Sequence, residues 1–110
     1  MAGKKTHWIW ISFDLGVKGD YEGIYKWLDE HKARECGDSL AGLNYEHSGD
    51  LIDDLRTDLQ KSIEFTTKSR VYVIRLLDGK MKGRFIVGGR RMAPWSGYAE
   101  NGGQEEDTGG

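Results

Sequence analysis

The stretch His7-Trp8-Ile9-Trp10-Ile11-Ser12-Phe13-Asp14-Leu15 decides the fold. Ile9, Ile11, Phe13 and Leu15 fall on one side of an extended chain, and Trp8, Trp10, Ser12 and Asp14 on the other. A two-residue period in β-branched and aromatic residues is the mark of a half-buried strand. Gly16-Val17-Lys18-Gly19 reads as a loop. Asp20 is a good N-cap, because its carboxylate can accept a free backbone N–H at a helix start. From there Tyr21, Ile24, Trp27, Leu28 and His31 recur at three- and four-residue spacing, which predicts an amphipathic helix to about Ala33. Gly23 lies inside it, at a cost of about 1 kcal/mol relative to alanine.

Working outward, Arg34–Glu46 reads as extended. Gly37-Asp38 supplies a tight type II′ turn that splits it into a very short strand and a longer one at Ser39–Glu46. Asp50 caps a second helix whose apolar stripe is Ile52, Leu55, Leu59 and Ile63. Asp53 and Asp54 in its first turn complement the helix dipole. Arg70–Leu77 is rich in β-branched residues, Asp78-Gly79 tolerates the positive φ of a type I′ turn, and Lys82–Gly88 is the returning strand.

The order is therefore β-α-(β)β-α-β-β. With the short strand formed, the expected architecture is an α/β (α+β) ferredoxin-like sandwich, two helices on one face of a four- to five-stranded sheet. Without it, a small three-layer or split βαβ arrangement remains. Residues 1–99 are expected to form a single domain that opens with a loose leader at 1–6. Residues 100–110 are acidic, Gly-rich and without large apolar side chains, and are expected to be disordered.

The chain has 110 residues, a net charge of −2 and one cysteine, Cys36. A lone thiol builds no disulfide framework, and no apolar run is long enough for a membrane span or a secretory signal. A cytoplasmic protein without membrane contact is the expectation. The charge is uneven. Lys80, Lys82, Arg84, Arg90 and Arg91 face only Asp78, whereas Glu46, Asp50, Asp53, Asp54 and Asp58 face only Arg56. A whole-protein field for nucleic acid is not expected, but a local basic patch is.

If Ile9, Ile11 and Phe13 meet the helices, Trp8 and Trp10 face outward and need a cover. A homodimer packed sheet against sheet is one cover, and the C-terminal segment with Pro94 and Trp95 folded over the face is another. Base stacking on a bare sheet is a third reading, and reversed faces a fourth. Lys82-Gly83-Arg84-Phe85-Ile86-Val87 echoes the Lys-Gly-aromatic pattern of RNA-recognition motifs, but Arg84 stands where an aromatic is wanted. Gly88-Gly89-Arg90-Arg91 reads either as an anion-binding loop or as a solvated exit. His7, His31, His47 and Cys36 show no pair at metal-ligand spacing, so no zinc site is expected. His31 reads as a half-buried packing residue and Cys36 as a buried or inert thiol.

Asp14 closes the first strand. An acid there can cap the following loop, or two copies across a dimer axis can hold a metal that activates water. The first strand ending in Phe13-Asp14, the helix after it, Glu35-Cys36-Gly37-Asp38-Ser39-Leu40, an acidic helix and a strand hairpin resemble the small ferredoxin-like endonucleases of CRISPR adaptation. They are also similar to the virulence-associated protein D ribonucleases. That resemblance implies a Mg²⁺- or Mn²⁺-dependent nuclease with Asp14 as metal ligand. Three functions follow. The first is a non-catalytic, cofactor-free, dimeric module binding a protein or nucleic acid through Trp8, Trp10, Lys82, Arg84, Arg90 and Arg91. The second is the Asp14 nuclease. The third is a mobile-element inhibitor using the acidic helix face of Asp50, Asp53, Asp54 and Asp58.

Overall fold

The computed structural model describes residues 3–100. In chain order its elements are β1 (Lys5–Asp14), α1 (Tyr21–Glu30), β2 (Arg34–Gly37), β3 (Leu40–His47), α2 (Leu51–Ser62), β4 (Arg70–Leu77) and β5 (Lys80–Val87). The strands form one antiparallel sheet in the order β2-β3-β1-β4-β5. The run from β1 to β4 is the ferredoxin-like arrangement, and β5 adds a fifth strand at its edge. No helix among the described residues is long and apolar enough to cross a membrane.

The alternation in β1 assigns the faces as read. Ile9, Ile11 and Phe13 are buried with Leu43 and Tyr45 of β3 and Val71 and Val73 of β4, under Ile24 and Trp27 of α1 and Leu55 and Leu59 of α2. Asp20 caps α1 through Gly23 N–H and Asp50 caps α2 through Asp53 N–H. Asp20 also accepts Glu64 N–H at 3.0 Å, so one carboxylate joins the start of α1 to the exit of α2. That second bond holds its carboxyl below the usual range, with the bond from Gly23 adding to the effect.

Several boundaries differ from expectation. β1 begins at Lys5, inside the supposed leader. α1 stops at Glu30, because Lys32 turns to φ 55° and the N–H groups of Lys32 and Ala33 donate to the Asp29 and Leu28 carbonyls. The first hairpin turns on Asp38-Ser39, one residue later than read. Gly37 pairs with Leu40, and an irregularity between Glu35 and Gly37 absorbs the shift. At the second hairpin Asp78 and Gly79 have φ of 53° and 78°, as a type I′ turn demands. The returning strand spans Lys80–Val87 rather than Lys82–Gly88. The tail beyond Glu100 lies outside the described residues.

Candidate functional site

The sheet face away from the helices carries the site. β1 contributes Trp8, Trp10, Ser12 and Asp14 to it. β4 contributes Arg70, Tyr72, Ile74 and Leu76, since Val71 and Val73 between them are buried. The two-residue turn then sets the register of β5: Leu76 opposite Met81, Ile74 opposite Gly83, Tyr72 opposite Phe85. One row of the face thus reads Leu40, Ser12, Tyr72, Phe85, and the next Gly42, Trp10, Ile74, Gly83.

The aromatic rings lie in two pairs. Trp8 and Trp10 meet edge to face at 5.9 Å, and Tyr72 and Phe85 meet likewise at 4.8 Å. Glycines let one ring of each pair lie close against a neighbouring strand. A Cβ at Gly42 would strike the Trp8 indole, and one at Gly83 would strike the Tyr72 phenol. Both rings are thereby held close over a neighbouring strand, which preorganises a surface for flat ligands.

Guanidinium groups close one end of this face. Arg70 Nη2 donates to Asp14 Oδ2 at 3.0 Å, and Arg91 Nη2 donates to the same oxygen at 3.1 Å. The backbone N–H of Gly16 donates to Oδ1 at 3.3 Å. The Arg70 hydrogen bond, chiefly, holds the Asp14 carboxyl below the usual carboxylate range, against a smaller opposing effect of burial. Arg90 sits over the Phe85 ring, 5.7 Å from its centre, within cation–π range. Gly88 makes this possible. Its φ is +70°, and a Cβ there would collide with the Ser69 carbonyl, so glycine is needed where the chain leaves β5 and turns back toward Asp14. Ser12, Asp14, Arg70, Tyr72, Phe85 and Arg90 line an open cleft of about 350 Å³.

Two guanidinium groups on one carboxylate, with a third over the Phe85 ring, leave this end of the face cationic. Both oxygens of Asp14 already accept hydrogen bonds, two of them from positive groups. A divalent metal on Asp14 would have to displace the guanidiniums and enter a positive field. The donor set does not fit the Mg²⁺ or Mn²⁺ that the nuclease resemblance implies. No cluster of three or more His, Cys, Asp or Glu side chains among the described residues could hold a metal ion. The arrangement suits an anion instead.

The other candidate residues separate. Lys82 and Arg84 stand opposite Arg75 and Val73, on the helix-bearing side, where they border Ile52. They do not share a face with Trp8 and Trp10, so the basic hairpin is split between two surfaces. Among the described residues, the C-terminal segment with Pro94 and Trp95 does not pack over the sheet face. Trp95 is 75% exposed and Met92 88% exposed. Cys36 is exposed, not buried. Tyr72, Phe85 and Arg70 went unrecognised in the sequence. The signal for the first two was present, because a two-residue turn at Asp78-Gly79 places Phe85 opposite Tyr72 by counting. The RNA-recognition echo looked for an aromatic at Arg84, one residue too early. No protein-family model, curated protein or solved structure matches the chain.

Proposed function

We propose that the chain is a non-catalytic module that binds single-stranded nucleic acid on the open face of its sheet. The carrying observation is the Tyr72–Phe85 pair flanked by Arg70 and Arg90, with Trp8 and Trp10 continuing the platform. Aromatic rings on an open sheet face stack bases, at about 1–3 kcal/mol per base, while guanidiniums take phosphates. Asp14 keeps Arg70 and Arg91 in place and is a positioning residue in this reading, with no step of bond cleavage assigned to it.

The experiment is titration of labelled single-stranded RNA and DNA, with duplex DNA as control, followed by tryptophan fluorescence and native gels. Tyr72→Ala and Phe85→Ala are each expected to weaken binding by roughly 5- to 100-fold, as loss of one stacked base requires. Three phosphate contacts predict a slope of log K against log salt of about −2 for single strands. Absence of binding at low salt, or binding indifferent to both substitutions, rejects the proposal.

A second reading rests on the far end of the same face. Leu76 and Met81 pair across β4 and β5 there and are both more than half exposed, and Trp8 is 38% exposed. This apolar end favours closure on a second copy. Sedimentation would show a dimer that Leu76→Lys converts to monomer. A monomer at all concentrations removes that reading.

A further inference from the structure

His7 and His47 are distant in sequence yet adjacent in space, on the helix-bearing side of the sheet. His7 Nδ1 lies 2.7 Å from His47 Nε2. His47 is buried, and its Nδ1 lies 2.8 Å from the Gly49 carbonyl oxygen. A carbonyl only accepts, so Nδ1 of His47 carries the proton. Nε2 of a neutral His47 is then a lone pair, and it is aimed at His7 Nδ1. His7 is exposed, and when both rings are neutral it is the one that donates, through Nδ1–H, across the gap. The proton between the two rings is the one group that keeps two lone pairs from converging.

We propose that His7 and His47 form a two-imidazole site for a borderline divalent transition metal, Cu²⁺, Ni²⁺ or Zn²⁺, which takes the place of that proton while His7, exposed to solvent, changes tautomer and carries the proton on Nε2. Imidazole nitrogens bind such ions at about 2.0–2.1 Å, so two ligands of one ion stand about 3 Å apart. The two nitrogens need to separate by only a few tenths of an ångström, but an ion on the His47 lone-pair axis takes the place His7 Nδ1 now holds, so the exposed His7 ring must swing aside to turn its own lone pair onto the metal. His47 is already prepared. Its Nδ1–H on a backbone carbonyl is the arrangement that fixes tautomer and orientation in metal-bound histidines. The Tyr45 ring lies parallel to it at 6.4 Å.

The surrounding charge favours a cation. Asp54 accepts the N–H groups of Ser48 and Gly49 beside His47, and Asp58 accepts the Tyr45 hydroxyl at 3.1 Å. Burial, chiefly, and then the Asp58 and Asp54 charges push the Tyr45 hydroxyl above its ordinary range, so Tyr45 stays neutral. Lys5, across from His47 in the β1–β3 register, is the opposing positive group. The protein supplies two ligands, and water or a partner's donor atoms complete the sphere.

The test is Cu²⁺ binding to the full chain carrying Cys36→Ser, which removes the exposed thiol as a competitor. Electron paramagnetic resonance is expected to show two imidazole nitrogens on one bound ion, released on acidification because only neutral imidazole binds. His7→Ala, an exposed change that spares the core, is expected to leave one imidazole nitrogen and weaken binding by about tenfold or more. His31→Ala should change neither spectrum nor affinity. A His7→Ala protein with the parent's spectrum and affinity, or a parent spectrum without imidazole nitrogens, overturns the proposal.

Discussion

Replacing Gly23 by alanine pits local propensity against tertiary structure. In an exposed helix the change should stabilise by about 0.5–1 kcal/mol, because glycine loses more backbone freedom on folding. Here the added Cβ would fall on the Asp20 carboxylate, 2.8 Å from its Cγ, and 3.0 Å from the Ser62 carbonyl oxygen. A free carboxylate would swing aside. This one holds the Gly23 N–H at 2.9 Å and the Glu64 N–H at 3.0 Å, and cannot move without losing one or both. Losing an N-cap costs about 1 kcal/mol, and losing a hydrogen bond between elements about another 1. Set against the propensity gain, Gly23→Ala should destabilise by about 1 kcal/mol, or lower the melting temperature by roughly 4–8 °C. Urea unfolding measures the first and calorimetry the second. A double-mutant cycle sharpens the test, since in an Asp20→Ala background the alanine at 23 no longer meets a carboxylate and should cost less. A Gly23→Ala protein as stable as the parent, or a cycle with no coupling, would refute the reasoning.

Asp14 and Asp20 both have carboxyl groups held below their ordinary values. A depressed folded-state value contributes stability that is present above the unfolded value, near 3.9 for aspartate, and is lost as pH falls through the folded one. Denaturation midpoints should therefore hold steady above about pH 5 and fall below about pH 4, with Asp20→Asn flattening that fall; an unchanged profile in the variant would argue against the assignment. Leu55 is fully buried in the stripe of α2, so Leu55→Ala should cost about 2–5 kcal/mol by urea unfolding, and a cost under about 1 would misplace the core. Asp14→Asn should weaken single-strand binding by loosening Arg70 and Arg91 while leaving no cleavage to lose, whereas Mn²⁺-dependent cleavage that the same change abolishes would restore the nuclease reading.

The fold was legible because its signals are periodic or local. Alternation in β1, caps at Asp20 and Asp50, apolar stripes in both helices and the Asp78-Gly79 turn each depend on neighbours within a few residues. Together they define the elements and, through β1, which face is buried. Legibility failed where one residue of offset changes a face. Reading Gly37-Asp38 as the first turn misplaced that hairpin by one position, with consequences limited to an exposed edge strand. Grouping Lys82 and Arg84 with Trp8 and Trp10 in one binding set took no account of the alternation in β5, which puts those basic residues on the helix-bearing side and Phe85 beside Tyr72.

The irregularity between β4 and β5 shows why the sheet edge resists such reading. Val87 stands opposite Val71, but Phe85 already stands opposite Tyr72, so Ile86 is an extra residue in β5. It is buried, and its carbonyl accepts Arg56 Nε from α2 at 3.1 Å. A bulge turns successive side chains toward one face. Counted back from Val87 by strict alternation, Phe85 would point to the helices and Arg84 to the open face. Counted forward from the type I′ turn, the reverse holds. Packing decides in favour of the count from the turn: Ile86 fills the edge of the core, and its burial leaves Phe85 beside Tyr72. The histidine pair follows the same logic, since the antiparallel register of β1 and β3 brings positions 7 and 47 together, and no spacing within one segment announces it.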